Sequence, residues 1–135
     1  MTNTTALMRE EAARFSRTVD SAEELVGGAL NPMAGAVPVS LANIAAVEAF
    51  LIPQDGAQLV EYGVHATVNH VEPRSLVSWV RDIVGDAALA DELDVIVADG
   101  EPYGKQMPRL KAVLRDRMAE YEAALHPEGT EDAKP

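Results

Sequence analysis

The sequence predicts a small all-α domain, a single bundle of about five or six short helices. Apolar residues recur every three to four positions along most of the chain, which is the period of a helix that buries one face. Residue pairs with the spacing of a capping box precede several of these stretches, and glycine or proline follows them. The length of 135 residues fits one domain, which we expect to span residues 1–127. Residues 128–135 carry no large apolar side chain and are predicted to form a disordered acidic tail.

Before Pro53, the pattern predicts two helices, a short and weak second helix between them, and a loop. Gly27 and Gly28 weaken the second helix by about 1 kcal/mol each relative to alanine. Two prolines make the loop, and Ser40 after it is predicted to be an N-cap. The elements are, in order, a helix over Thr5–Thr18, a short helix begun by the capping pair Ser21 and Glu24, a loop over Asn31–Val39, and a helix over Leu41–Leu51.

After Pro53, the same signals predict four more helices. Gly85 stops one of them, and Gly100 has the position of a residue that follows a helix end. The elements are a helix from Gly56 that opens with the capping pair Asp55 and Gln58 and ends before Pro73, a helix over Arg74–Val84, a helix over Ala87–Ala98 capped by Asp86, and a last helix over about Gln106–Leu125.

Two segments also fit β-strands. The stretch Val60–Val68 alternates apolar with polar or small residues, as a half-buried strand does, although the capping pair in front of it and the proline behind it favour a helix. Leu93–Ala98 is apolar enough for a short strand. An α+β fold with strands around these two segments is therefore the alternative.

Composition excludes several classes of function. The chain has no cysteine, so it forms neither disulfides nor thiolate metal sites. Its formal net charge of −11 argues against a nucleic acid or an anionic membrane as the main partner. The glycine-containing run before Lys105 lacks the spacing and the Ser or Thr of a phosphate-binding loop, and we predict no cofactor. The stretch Met1–Glu11 does not resemble a secretory signal, so we expect a cytoplasmic protein.

One candidate ligand or metal site lies on the helix predicted over residues 57–71. Glu61, His65 and Asn69 would lie one turn apart on a polar stripe of that helix. A carboxylate and an imidazole at this spacing could bind a metal ion or act as an acid and a base. The same pattern is also typical of a solvated helix face. It does not identify a metal, which therefore stays unknown.

The candidate interface lies in the region that lacks basic residues. Between Arg17 and Arg74 there is no lysine or arginine, and on a helical wheel Glu48 falls inside an apolar sector. A buried carboxylate needs a partner, which here must come from a tertiary or quaternary contact. Because a domain of this size has little protein to cover such a helix, we predict an intermolecular contact through Leu41, Ile44, Val47, Glu48 and Phe50.

The last helix, together with Lys105 just before it, carries five of the eleven bases and follows the acidic stretch Asp86–Glu101. Antiparallel packing would let the two helices neutralise each other. Together these features favour an accessory, regulatory or assembly protein that is not an enzyme, acts through protein contacts and forms an oligomer. A small enzyme or a metal-binding module built on Glu61 and His65 is the second hypothesis.

Overall fold

The computed structural model describes residues 7–31, 35–51 and 68–126. In these ranges the chain is mainly helical and carries a minor three-stranded antiparallel sheet. The mainly helical class is confirmed, and the sheet corrects the all-α prediction. The elements are α1 (Arg9–Phe15), β1 (Leu25–Asn31), β2 (Gly35–Leu41), α2 (Ile44–Phe50), β3 (Val68–His70), α3 (Pro73–Trp79), α4 (Ala87–Ala98) and α5 (Tyr103–Leu125).

The helix predicted over Ala87–Ala98 is present with those bounds as α4. The Asp86 carboxylate accepts a hydrogen bond from the Leu89 N–H at 3.1 Å, and Gly100 follows the helix with a φ of 76°. Both signals are local, because an N-cap and a left-handed C-terminal residue act on the helix end beside them. The alternative of a strand over Leu93–Ala98 is wrong.

The helix predicted over Arg74–Val84 is also present, with a change of type in its second half. It begins at Pro73 as α3, and beyond Trp79 it continues as a π-helical turn over Val80–Val84. Gly85 ends it in the left-handed region, with a φ of 92°. The predicted stop is therefore confirmed, since glycine adopts this conformation without a steric penalty.

The side chain of Arg17 caps the C-terminal end of this π-helical turn. The guanidinium of Arg17 donates to the carbonyl of Ile83 at 2.7 Å and to that of Val84 at 3.2 Å. Carbonyls in the last turn of a helix lack intrahelical donors and carry a partial negative charge. The chain that follows α1 is thus attached to a segment 66 residues further along.

The segment after α1 differs most from the prediction. Ser21–Glu23 forms only a 3₁₀ turn, and β1 and β2 form a hairpin where a short helix and a loop over Asn31–Val39 were predicted. A Cβ atom at Gly27 would lie 2.8 Å from Cε2 of Phe50, so the strand runs directly against that ring. Glycine weakens a helix, but in a strand it permits this close approach.

Three helices have bounds that differ from the prediction. α1 is shorter than Thr5–Thr18, and α5 begins at Tyr103, three residues before the predicted start. α2 is shorter than Leu41–Leu51, because Leu41 ends β2. The cap of α2 is Asn43 rather than Ser40, and its side chain accepts a backbone N–H at 2.7 Å. Asparagine is as effective an N-cap as serine, so composition alone does not choose between them.

Residues 52–67 lie outside the described ranges. The helix predicted from Gly56 and the strand alternative around Val60–Val68 can therefore be compared with the structure only at their ends. Val68–His70 forms β3, so a helix that continues to Pro73 is wrong. The predicted acidic tail over residues 128–135 also lies outside the described part of the chain.

α5 is the element around which the core is built. It packs against α1, α2 and α4. α4 and α5 are antiparallel, because Arg117 in the middle of α5 pairs with Asp86 at the start of α4, and Arg109 pairs with Asp99 at its end. The predicted antiparallel packing is thus present, and two pairs join the helices, whereas Lys111 and Arg115 of α5 pair with Glu48 of α2 instead. The largest fully buried apolar side chains are those of Ile44, Val47, Leu51, Val71, Leu76, Val80, Leu89, Leu93, Leu110 and Leu114.

Candidate interaction surface

The hairpin of β1 and β2 leaves the core as it approaches its turn. Successive side chains of a strand point to opposite faces, and the register places the pairs Leu25–Leu41 and Ala29–Val37 on one face. Leu25 and Leu41 are buried, whereas Val37 is 51% exposed. The face that the core covers at the base of the hairpin is thus open near the turn.

The opposite face of the hairpin is exposed from its base onward. Val26 pairs with Ser40 on this face and is 60% exposed. There is no charged residue between Glu24 and Glu48, so the ribbon carries no charge on either face. The exposed apolar residues of this face form what we call the hairpin surface, which comprises Val26, Ala36 and Pro38.

Val95 on α4 provides a contrast to the hairpin surface. It is 70% exposed, more than Val26 or Val37. Acidic residues, among them Asp91 and Glu92, lie one helical turn away from it. Single exposed apolar residues are normal on protein surfaces, whereas contiguous apolar patches mark contact sites. The hairpin surface is therefore the stronger candidate for an interaction.

Pro38 limits how a partner could use the hairpin. β2 is an outer strand of the sheet among the described strands. Proline has no N–H group, and in a sheet it is confined to outer strands with its nitrogen toward the open side. A strand added along β2 would lack a donor in the middle of that edge. A partner is therefore expected to contact a face of the hairpin rather than pair with its edge.

A groove of about 520 Å³ lies beside the base of the hairpin, where β1 meets α3. Val26 belongs to its lining, and so do Glu24, Glu72 and Arg74. Burial opposes the ionisation of Glu72, but hydrogen bonds from Ser75 and the nearby Arg74 lower its pKa. The carboxylate is therefore charged at neutral pH. The groove thus places charged side chains beside Val26, at one end of the hairpin surface.

The structure places most of the predicted interface inside this chain. Leu41, Ile44 and Val47 are buried in the core, and the Phe50 ring is half-buried over Gly27. We expected a partner to cover these side chains, but α5 packs against α2 and supplies that cover. An intermolecular contact at α2 remains a prediction, and the apolar residues that are exposed belong to the neighbouring hairpin.

Glu48 receives the tertiary partner that its position required. Its Oε2 atom lies 2.8 Å from Nζ of Lys111 and 3.6 Å from Nε of Arg115. The Lys111 ammonium group also donates to the backbone carbonyl of Glu48 at 2.6 Å. The carboxylate is thus held at the rim of the core by α5, and these contacts give it a structural role.

The three candidate ligands are not brought together in the described residues. Glu61 and His65 lie outside those residues. The side-chain amide of Asn69 donates to the carbonyl of Phe50 at 2.9 Å and so joins β3 to the end of α2. Among the described residues, no group of three or more histidine, aspartate or glutamate side chains is arranged to hold a metal ion.

Sequence reasoning missed a buried network of Asp86, Arg117 and Tyr121. Asp86 is 1% exposed, and its carboxylate accepts hydrogen bonds from Arg117 at 2.7 and 2.9 Å and from the Tyr121 hydroxyl at 2.6 Å. Burial opposes the ionisation of Asp86, but these bonds and that of the Leu89 N–H outweigh it and lower its pKa. Burial, reinforced by the Asp86 charge, raises the pKa of Tyr121.

This network stabilises the fold rather than offering a reactive group. Both oxygens of the Asp86 carboxylate accept hydrogen bonds, and no buried side-chain nitrogen or oxygen in the described residues lacks a partner. The capping role of Asp86 was visible in the sequence. Arg117 lies 31 residues away, and no local signal identifies it as the partner.

A second cleft, of about 610 Å³, lies over this network. Asp86 and Arg117 belong to its lining, together with Phe15, Arg14 and Glu92. The Arg14 guanidinium lies 5.1 Å from the centre of the Phe15 ring, at the distance of a cation–π contact. Its buried acid already has its partners, and no buried side-chain nitrogen or oxygen among the described residues lacks one, so the cleft presents no unsatisfied polar group for a ligand.

Among the described residues, no helix combines the length and the apolar character that crossing a membrane requires. Compared with family models, curated proteins and solved structures, the chain matches none of them. Its function is therefore argued from the geometry of the hairpin surface.

Proposed function

We propose that this protein is non-catalytic and binds another protein through the hairpin surface, as an accessory, regulatory or assembly component. The observation that supports this proposal is an exposed face of a β-hairpin without a charged residue, in a chain whose formal net charge is −11. Charged side chains normally keep exposed strands from associating, and here they are missing. Covering the ribbon with a partner would remove its apolar area from water.

The partner is a different chain rather than a second copy. The net charge of −11 on each copy would repel a second copy, which favours a partner of lower or opposite charge. Self-association, which the sequence favours, is the outcome that the experiment must distinguish.

The second hypothesis, a small enzyme or a metal-binding module, gains no support from the described residues. Asn69 is engaged with the Phe50 carbonyl, and Asp86 with Arg117 and Tyr121. Glu61 and His65 lie outside the described residues, so their role stays a prediction.

Site-specific photo-crosslinking tests the proposal. The full chain, with a photoreactive amino acid in place of Val26 or Ala36, is expressed in its native host and irradiated. We expect one dominant crosslinked protein at both positions, identified by mass spectrometry. With the probe at Val26, the substitution Ala36→Asp should remove the crosslink.

A photoreactive residue in place of Val95 is the matched control, because that position is at least as exposed as Val26 but lies among acids. Equal crosslinking at Val95 and at the hairpin would contradict the proposal. Crosslinks only between copies of the chain would assign the hairpin surface to self-association instead.

A further inference from the structure

We infer that the partner contributes an uncharged apolar segment that ends in a lysine or an arginine, and that this basic end lies at the base of the hairpin. The inference rests on the proposed function of the hairpin surface. The distribution of charge around the hairpin surface supports this inference.

Acidic side chains gather at the base of the hairpin. Glu23 and Glu24 directly precede β1, and Glu72 follows the last residue of β3 by two positions. β3 runs antiparallel to β1, with His70 paired to Gly28, so the chain that leaves β3 runs toward the start of β1. The three carboxylates therefore lie at one end of the sheet.

These acids are not fully neutralised within the described part of the chain. None of the ion pairs found there within 4.0 Å includes Glu23 or Glu24. Arg74 is the one base that lines the groove, against Glu24 and Glu72. Glu23, which is exposed, adds a further negative charge beside it. A cation of the partner thus gains an attractive interaction at this end.

The other end of the hairpin surface has the opposite character. Ala36 and Pro38 are exposed and lie far from these acids along the strands, and no charged residue follows them before Glu48. A charged partner residue placed there would lose water without gaining a counter-charge. The two ends therefore differ, and the difference orients the bound segment with its apolar part over Ala36 and Pro38. Seven residues per strand at about 3.4 Å each give a length of about 24 Å, which accommodates roughly seven extended residues of the partner.

Selection from a phage library of short random peptides against the full chain tests this inference. We expect the selected peptides to share an uncharged apolar run with lysine or arginine at one end. A synthetic peptide of that sequence should bind the double variant Glu23→Gln/Glu24→Gln about three- to tenfold more weakly than the wild type, since each exposed ion pair contributes modestly. Binding to the wild type should weaken with added salt, and less so in the double variant.

The variants separate this inference from the proposed function. Val26→Asp should abolish peptide binding while the circular dichroism spectrum stays that of the wild type, and Val95→Asp should bind as the wild type does. Peptides without a basic end, or an unchanged affinity in the glutamine variant, would overturn the charge assignment and leave the hairpin surface as the contact site. Unchanged binding by Val26→Asp would overturn both. Selection of no peptide, together with a dimer that Val26→Asp dissociates, would make a second copy the occupant.

Discussion

The Asp86 carboxylate receives two hydrogen bonds from the Arg117 guanidinium, at 2.7 and 2.9 Å, and this pair joins the start of α4 to the middle of α5. Asp86 is almost completely buried, and the Arg117 side chain is only 12% exposed. When one member of such a pair is removed, the other charge remains buried without compensation. Replacing either Asp86 or Arg117 alone is therefore expected to destabilise the fold strongly.

Substituting Arg117→Met should lower the free energy of unfolding by about 3–5 kcal/mol, because Asp86 would keep a buried charge with no counter-ion. Urea denaturation measures this change. Arg109→Met is the matched control, since Arg109 pairs with Asp99 at the surface and its loss should cost about 1 kcal/mol or less. Equal losses in the two variants would show that burial does not distinguish the pairs.

Asp99 should make stability depend on pH in the acid range. The hydrogen bond from the Glu101 N–H, followed by those from Arg109 and Gln106, lowers its pKa from 3.8 to about 2. Between these values the unfolded chain binds the proton more readily, so the contribution of Asp99 is complete above about pH 4 and is lost as the pH falls through about 2. An NMR titration of its carboxyl carbon should therefore have a midpoint near 2, and Asp99→Asn should flatten the pH dependence of unfolding. A midpoint at the ordinary value would contradict the assignment.

Gly27→Ala should destabilise the protein by about 1–3 kcal/mol, because the added Cβ would meet the Phe50 ring at 2.8 Å and the His70 carbonyl at 3.2 Å. Thermal unfolding measures the loss, and Phe50→Leu in the same chain should restore part of it. Gly104→Ala is the control, since nothing lies within 4 Å of a Cβ at that position. A neutral Gly27→Ala variant would mean that the strand does not run against the ring.

Lys111→Met should cost about 1–2 kcal/mol, less than Arg117→Met, because Glu48 is only partly buried and Arg115 also lies near its carboxylate. The double variant Glu48→Leu/Lys111→Met should be more stable than the single one, since no charge is then left at the rim of the core. A double-mutant cycle by urea denaturation gives the coupling energy. Additive effects of the two substitutions would contradict a direct interaction.

The sequence predicted the elements whose ends are marked by neighbouring residues. Asp86 and Gly100 bound α4 at the predicted positions, because capping acts within one helical turn. The hairpin was missed because Gly27 is interpreted from the sequence as weakening a helix, whereas it lies against Phe50, and this is a contact between residues far apart in the sequence. The helical periodicity of the apolar residues gives no information about such contacts between distant residues.

For the candidate site as well, the sequence predicted some features and missed others. The apolar character of Leu41, Ile44 and Val47 correctly indicated burial, and the isolation of Glu48 correctly indicated a distant partner. Neither could show that α5 would provide the cover, since Lys111 is 63 residues away from Glu48. The exposed surface therefore lay next to the predicted one, in strands that the periodicity did not reveal.

The position of α5 at the end of the described chain has a consequence for synthesis on the ribosome. α1, α2 and α4 all pack on this helix, which begins at Tyr103. A nascent chain therefore cannot close its core until α5 has left the exit tunnel. The uncharged hairpin is synthesised before α5, the helix that packs on α2 beside it. We expect a chain truncated before Tyr103 to show no cooperative thermal transition.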